Sequence, residues 1–515
     1  MRTKLLYTGL VILVIIPVLF FPSIANTSPS TRNQLTMLLI PMRSPSTMFR
    51  DFLPLKRYIE ERLNMKITIK VARKSSDVIK KLKNGDADVA YLCPTLYCEA
   101  FRSAGIEPLV KIRVNGTSYY RSVLLVRRDS AIKKTSDLIN KTFVYGRYAC
   151  PGSGLLPRII FKRIGMSDDD LFDVVKLGSD ESALTAVMAR MFDATAVPEM
   201  AARPYLKKGL RVIRYSNPIP QYLFVASSSL GDGLMKKLRD IMLSINNLED
   251  PAAVVGGIEK GTDGFDIARN SDYGIVRVLM DIAGENAGEE IATGENVIRV
   301  VVEPVYFGPD LFVTLTPLIE YLSKRTKRNF QLVIPENADT FTRLVKKGKA
   351  DFFYGNGDIA SRNRSLNLVA NTTGLTGITG RRRGIIITRS DSNIKSIKKL
   401  AGKKIGITSF YADDGYPLQL QNLKKAGVSP GSVDYVKFST YEKVIMNLYR
   451  GEIDAGFVND EVLNTLREDI DLKRIRIISR TPPVKGWGLF SKRGLNDGLV
   501  KDTSRFIKEY EPSPE

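Results

Sequence analysis

One register runs through this chain twice. Leu38-Leu39-Ile40-Pro41 returns as Val301-Val302-Glu303-Pro304, a β-rich run closing on proline. Leu55-Lys56-Arg57-Tyr58-Ile59 is answered by Leu318-Ile319-Glu320-Tyr321-Leu322, both with apolar residues at helical spacing. Asp86-Ala87-Asp88-Val89-Ala90-Tyr91 is answered by Lys349-Ala350-Asp351-Phe352-Phe353-Tyr354, and Val123-Leu124-Leu125-Val126 by Ile385-Ile386-Ile387-Thr388. Equivalent residues lie 263 apart for Pro41 and Pro304 and for Asp88 and Asp351, 262 apart for Ser130 and Ser392, and 261 apart for Asp193 and Asp454. Chance similarity does not hold one register over about 150 residues, so one domain type occurs in tandem. A chain of 515 residues is also too long for a single ordinary core.

Within each copy short β-rich runs alternate with amphipathic helices, which predicts an α/β fold with mostly parallel sheets. A helix, a glycine, an acidic turn and an apolar strand recur twice per copy, and the strand ends carry Tyr91 and Tyr354. Ligands of open parallel sheets bind beyond such strand ends. The polar, glycine-containing stretch Ala283-Gly284-Glu285-Asn286-Ala287-Gly288 reads as a linker. The expected layout is a first domain over 33–282, a linker over 283–296 and a second domain over 297–511.

Composition removes whole classes of chemistry. The chain has no histidine, which excludes Ser-His-Asp and Cys-His nucleophiles, His-ligated zinc and an imidazole base. The net charge of +22 suits an anionic partner. The chain opens on Met1-Arg2-Thr3-Lys4, continues apolar over 5–21 and reaches Pro22-Ser23-Ile24-Ala25, which is the pattern of a signal peptide over 1–25 or of an uncleaved anchor. Either places the rest outside the cytoplasm, in the periplasm, and argues against nucleic acid as the partner. Cys93, Cys98 and Cys150 are an odd set for that compartment. One pair could bridge, Cys93 or Cys98 with Cys150, or all three could be buried thiols.

Several segments together resemble the phosphate/phosphite/phosphonate substrate-binding proteins of ABC transporters, which have the type II periplasmic binding fold. They are Asp86-Ala87-Asp88-Val89-Ala90-Tyr91-Leu92-Cys93-Pro94-Thr95-Leu96-Tyr97, Tyr120-Arg121-Ser122-Val123, Gly152-Ser153-Gly154-Leu155-Leu156-Pro157, Asp193-Ala194-Thr195 and Ala268-Arg269-Asn270-Ser271-Asp272-Tyr273. The likeness covers about residues 35–280 well and 297–495 by fold and register. It implies that each copy has two lobes joined by hinge strands, near 120–127 and 211–226 in the first and 383–389 and 475–490 in the second. The solute would lie between the lobes, and closure would bury it.

The resemblance also implies site residues. In the family a Ser/Thr-rich loop opening a helix holds phosphonate oxygens through backbone amides. Here that loop is Cys150-Pro151-Gly152-Ser153-Gly154, so Gly152, Ser153 and Gly154 are ligand candidates, with Pro151 removing one donor. Tyr97 takes the place of a family tyrosine, with Tyr91, Thr95 and Tyr120 nearby, and Ser46 follows the first strand. Asp180 stands where the family has a histidine. A carboxylate there repels an anion, so it either caps its helix or faces an amine. In the second copy the loop position reads Ser409-Phe410-Tyr411-Ala412-Asp413-Asp414. Arg382, in Arg381-Arg382-Arg383, could take a carboxylate or phosphate bidentately. Tyr306, Tyr354, Asn356, Tyr411 and Tyr441 are its other candidates.

The expected function is capture of a small polar, anionic, phosphonate- or phosphate-like solute for a membrane permease. The alternative is a periplasmic sensory or scaffold protein signalling to a membrane-bound sensor. No cofactor or metal is expected. An enzyme would need an activated group, for which Cys150 beside Asp180 is the one candidate, and none is expected.

Overall fold

The computed structural model of the chain describes residues 33–284, 297–304, 306–335, 338–356, 366–372, 382–410, 415–484 and 486–511. The signal or anchor segment and nearly all of the linker lie outside these residues. Among the described residues no helix is long and apolar enough to cross a membrane.

Each copy is a pair of sheets. In the first copy a six-stranded sheet has the order Thr262–Ile267, Ile106–Val114, Leu223–Ser227, Val89–Leu92, Gln34–Leu39, Lys66–Val71. A five-stranded sheet follows with Leu210–Tyr215, Ser122–Arg127, Ala194–Pro198, Thr142–Tyr145, Asp173–Lys176. The second copy repeats both orders, lacking only a counterpart of the Thr262–Ile267 edge strand among the described residues. In each sheet three strands linked by helices run parallel, as short βαβ connections require, and the strand that enters from the other lobe, Leu223–Ser227 or Ser122–Arg127 in the first copy, runs antiparallel to them. In the first copy the two crossings pair as a short ribbon, Tyr119–Tyr120 against Ile219–Pro220.

The repeated Asp is what holds this register. The Asp88 carboxylate accepts the Thr36 N–H at 2.7 Å, and Asp351 accepts that of Arg299 at 2.9 Å. In the other lobes Asp193 accepts from Thr142 and Asp454 from Lys404, each at 3.0 Å. Each Asp also donates its own N–H to the carbonyl of the residue whose N–H it accepts. Four lobes thus use one device: a carboxylate before a buried strand locks the start of the neighbouring parallel strand. The acidic turn seen in the sequence is a structural pin at the start of the strand, opposite the end toward which Tyr91 and Tyr354 lie.

The two copies share a core. One apolar cluster runs from Phe143 and Phe161 in the first copy through Tyr306 and Leu311 to Val444, Met446 and Leu466 in the second. Ion pairs cross the same seam. Asp469 is fully buried, pairs with Arg214 at 3.1 Å and Arg163 at 3.5 Å, and accepts from Thr135 at 2.9 Å. Arg163 also grips Asp310 at 2.6 and 2.7 Å, and Arg450 pairs with Asp170 at 3.3 Å.

Candidate functional site

The cleft of the first copy is assembled from strand ends. Tyr91 closes the strand Val89–Leu92, Tyr120 belongs to the ribbon, and Tyr222 precedes the return strand. Their rings form a wall, with Tyr91 stacked on Tyr222 at 5.8 Å between centroids and Tyr120 at 6.5 Å from Tyr222. Burial holds all three hydroxyls well above the usual tyrosine range, so they remain donors. The Tyr222 hydroxyl meets Cys150. Those of Tyr91 and Tyr120 are enclosed and have no hydrogen-bond partner among the described residues. Buried hydroxyls are rarely left this way unless a ligand or water completes them.

Charged groups surround the wall. Arg43 follows the first strand, donates to the Ile258 carbonyl at 2.5 Å and pairs with Asp51 at 3.3 Å. Arg147 follows the strand Thr142–Tyr145 in the other lobe and reaches Asp180 at 3.4 Å. Glu259 sits among Arg43, Arg147 and Asp180. Burial raises its carboxyl above the usual range, Asp180 adds to this, and the two guanidinium groups oppose it. Arg147 keeps its proton more firmly than usual: neighbouring Cys150 and Asp180 outweigh the opposing effect of burial.

The Gly-rich loop is a single π turn, Pro151–Leu155, leading into the helix Leu156–Arg163. Its fit is tight. A Cβ on Gly152 would lie 2.7 Å from Pro198 Cγ and 3.1 Å from Tyr120 Cε2. The Ser153 and Gly154 amides both turn back to the Cys150 carbonyl, at 3.2 and 2.9 Å. Ser153 is fully buried, and its hydroxyl donates to Asp180 at 2.7 Å. Asp180 starts the helix Asp180–Met188 and also accepts the Arg147 N–H at 3.0 Å. The departure from the family pattern is therefore an internal bracket: Asp180 ties the loop to the strand end that carries Arg147.

Other expected residues lie apart from this wall. Tyr97 is buried in the first lobe, its hydroxyl donating to Asn270 at 3.0 Å and its ring 4.6 Å from that of Tyr273. Thr95 contacts Cys93 Sγ at 3.4 Å, and Ser46 is exposed beside Ser44. All three cysteines are free. Cys98 is buried against Tyr273, while Cys93 and Cys150 belong to the cleft, where burial pushes Cys93 up to about 11. Arg43, Arg147, Tyr222 and Glu259 escaped the sequence reading. Arg43 and Arg147 each follow a parallel strand by a few residues, and that position is the signal that could have found them.

The second cleft is built differently. Tyr306 and Tyr354 pack on Trp487 at 5.8 and 5.2 Å, and the buried Arg382 guanidinium lies 5.3 Å over the same indole. Arg382 donates to the Tyr306 hydroxyl at 3.4 Å, which donates to Glu461 at 2.9 Å. The Tyr354 hydroxyl accepts from Thr372 at 3.0 Å. Asn356 is buried opposite Trp487 in register, and its N–H donates to Glu303 at 3.0 Å. Tyr441 is fully buried at the start of its helix, and Tyr411 lies outside the described residues. Here the cation is linked to an acid of its own chain, Glu461, through the Tyr306 hydroxyl.

Glu442 lies behind this cleft and accepts the Phe307 N–H at 3.0 Å. Burial raises its carboxyl, against the pull of Arg163 and that hydrogen bond. The folded chain therefore favours the protonated form. The resulting stability is full below the ordinary glutamate value of about 4.3 and is lost as pH rises through the raised one. Glu442→Gln keeps an acceptor and removes the titration. It is expected to melt higher than the parent at about pH 8 and to match it at about pH 4. Scanning calorimetry at both values checks this, and coincident curves at pH 8 contradict it.

Comparison with known proteins agrees with the repeat. Residues 37–273 and 300–515 both match the family described as ABC transporter, phosphonate, periplasmic substrate-binding protein. The chain is similar to the phosphonates-binding periplasmic protein of Escherichia coli, with 24% identity over 228 residues, 42% of this chain and 68% of that one. It is similar to the phosphate-import protein PhnD of Mycolicibacterium smegmatis, with 22% identity over 285 residues, 50% of this chain and 89% of that one. Among solved structures, PhnD1 of Prochlorococcus marinus in complex with methylphosphonate has 16% identity and a TM-score of 0.43, covering 50% of this chain and all of that one.

Proposed function

Because the chain belongs to the periplasmic substrate-binding proteins of ABC phosphonate transporters, we propose that its first copy captures a small solute with an anionic group and hands it to a membrane permease. The observation that carries this reading is the pair of enclosed, unpartnered hydroxyls of Tyr91 and Tyr120, the first near the Arg43 guanidinium and the second near that of Arg147. Two O–H donors and two cations converge on one space, which suits a phosphonate, a phosphate ester or inorganic phosphate. The groups come from both lobes, so the solute is held fully only when the lobes meet, and binding favours that arrangement. Glu259 lies near the same groups and would accept from an amine on the solute. No observation favours a sensor over a permease as the partner.

A thermal-shift panel of phosphate, methylphosphonate and 2-aminoethylphosphonate on the full chain tests the reading. At one hundred times Kd a bound solute stabilises by about 2.7 kcal/mol. Arg147→Met is expected to weaken binding of the active probe about 10- to 100-fold, as loss of a charge-assisted bond predicts. Titration calorimetry measures it. If no anion stabilises the parent, or if Arg147→Met binds as tightly as the parent, the proposal fails.

A further inference from the structure

The helix Leu156–Arg163 has one end in each half of the molecule. Its start is the π turn of the first cleft, wedged against Tyr120 and Pro198. Its last residue, Arg163, holds Asp310 in two contacts, pairs with the buried Asp469 and lies 5.5 Å over the Phe307 ring. The preceding Lys162 donates to the Ile282 carbonyl at 2.8 Å, at the end of the first copy. A helix of this length spans about 12 Å and does not bend easily. On the far side Asp310 lies in the first turn of the helix Gly308–Thr326. Just before that helix come Phe307, bonded to Glu442, and Tyr306, which holds Arg382 and Glu461 in the second cleft.

We infer that the two clefts are coupled: movement of the π turn as the first cleft opens or closes is carried by the Leu156–Arg163 helix to Asp310 and Phe307, and so resets Tyr306 and Arg382 in the second. This rests on the reading of the first cleft as one that opens and closes. The shared core offers a second route for the motion, since Phe161 on the same helix belongs to the cluster that contains Tyr306 and Leu311. Coupling is reciprocal, so a change in the second cleft must alter opening of the first.

The test therefore needs no solute. Cys93 and Cys150 lie in the first cleft, and their rates of alkylation by iodoacetamide, read by peptide mass spectrometry, report its opening. Cys98, buried in the first lobe, reports global unfolding. Arg382→Gln in the second cleft is expected to change the Cys93 and Cys150 rates by at least about fivefold while leaving Cys98 unchanged. With Arg163→Met added, the same substitution is expected to change them less than about twofold. Should Arg163→Met not fold, Asp310→Asn, on the less buried partner, replaces it. Should Arg382→Gln not fold, Tyr306→Phe does. Trp487 is the only tryptophan of the chain and sits in the second cleft, so its emission confirms that this cleft was perturbed. Equal rate changes with and without Arg163, or no change in the parent background, overturn the inference. Failure of every anion to stabilise the protein is a separate outcome that overturns capture alone.

Discussion

Asp469→Ala is expected to destabilise the protein by about 3–5 kcal/mol, the usual loss when one partner of a buried ion pair is removed. The carboxylate has no exposure and stands between Arg163, Arg214 and Thr135, all contributed by the other copy. Without it two largely buried guanidinium groups on the same side of the seam lose the carboxylate between them. The loss is measured from urea unfolding, with tyrosine and tryptophan emission followed together, because a two-copy chain can unfold in steps. Asp310→Asn is the comparison. That carboxylate is about one-third exposed, and its loss is expected to be near 1 kcal/mol. Should Asp469→Ala unfold within about 1 kcal/mol of the parent, the ionic seam contributes little and the apolar cluster alone joins the copies.

Gly154→Ala is the second large effect, at about 3 kcal/mol, because the added Cβ would lie 1.8 Å from the Tyr148 carbonyl oxygen. That backbone cannot easily retreat. The Tyr148 ring packs edge-on to Tyr145 at 5.1 Å and lies under Lys176 at 3.9 Å. Relief has to come from the π turn, which carries Ser153 off Asp180 and loosens Arg147. Stability and solute binding should therefore fall together, the first by thermal melting and the second by calorimetry. Gly178→Ala is the control. Its Cβ meets nothing within 4 Å, and a change within about 0.5 kcal/mol is expected. A Gly154→Ala protein as stable as this control would show that the turn yields freely.

Much of the architecture was legible in the residues because register is a long-range signal that survives when single positions drift. The offsets of Asp88 with Asp351 and of Asp193 with Asp454 matched lobe to lobe, and the two strand orders repeat accordingly. The cleft was harder to read. Arg43, Tyr91, Tyr120, Arg147, Tyr222 and Glu259 come from six separate stretches, and no spacing along the chain brings them together. Ser153 and Asp180 were singled out for good reason, yet their importance lies in each other: the hydroxyl and the carboxylate form a hydrogen bond 27 residues apart in sequence. Tyr97 had a cleft-facing neighbour in Tyr91, but helical geometry turns its ring into the lobe toward Tyr273.

The four carboxylates that pin neighbouring strands sit where parallel strands begin, and the candidate cleft residues lie toward the ends where those strands finish. Shape and chemistry are thus written in different places. A duplicated copy can change its mouth while its skeleton stays intact: Tyr354 keeps the place of Tyr91, but its ring packs on Trp487 beneath Arg382 where Tyr91 packs on Tyr222. Inheritance of form without inheritance of cargo is what such a division of labour permits.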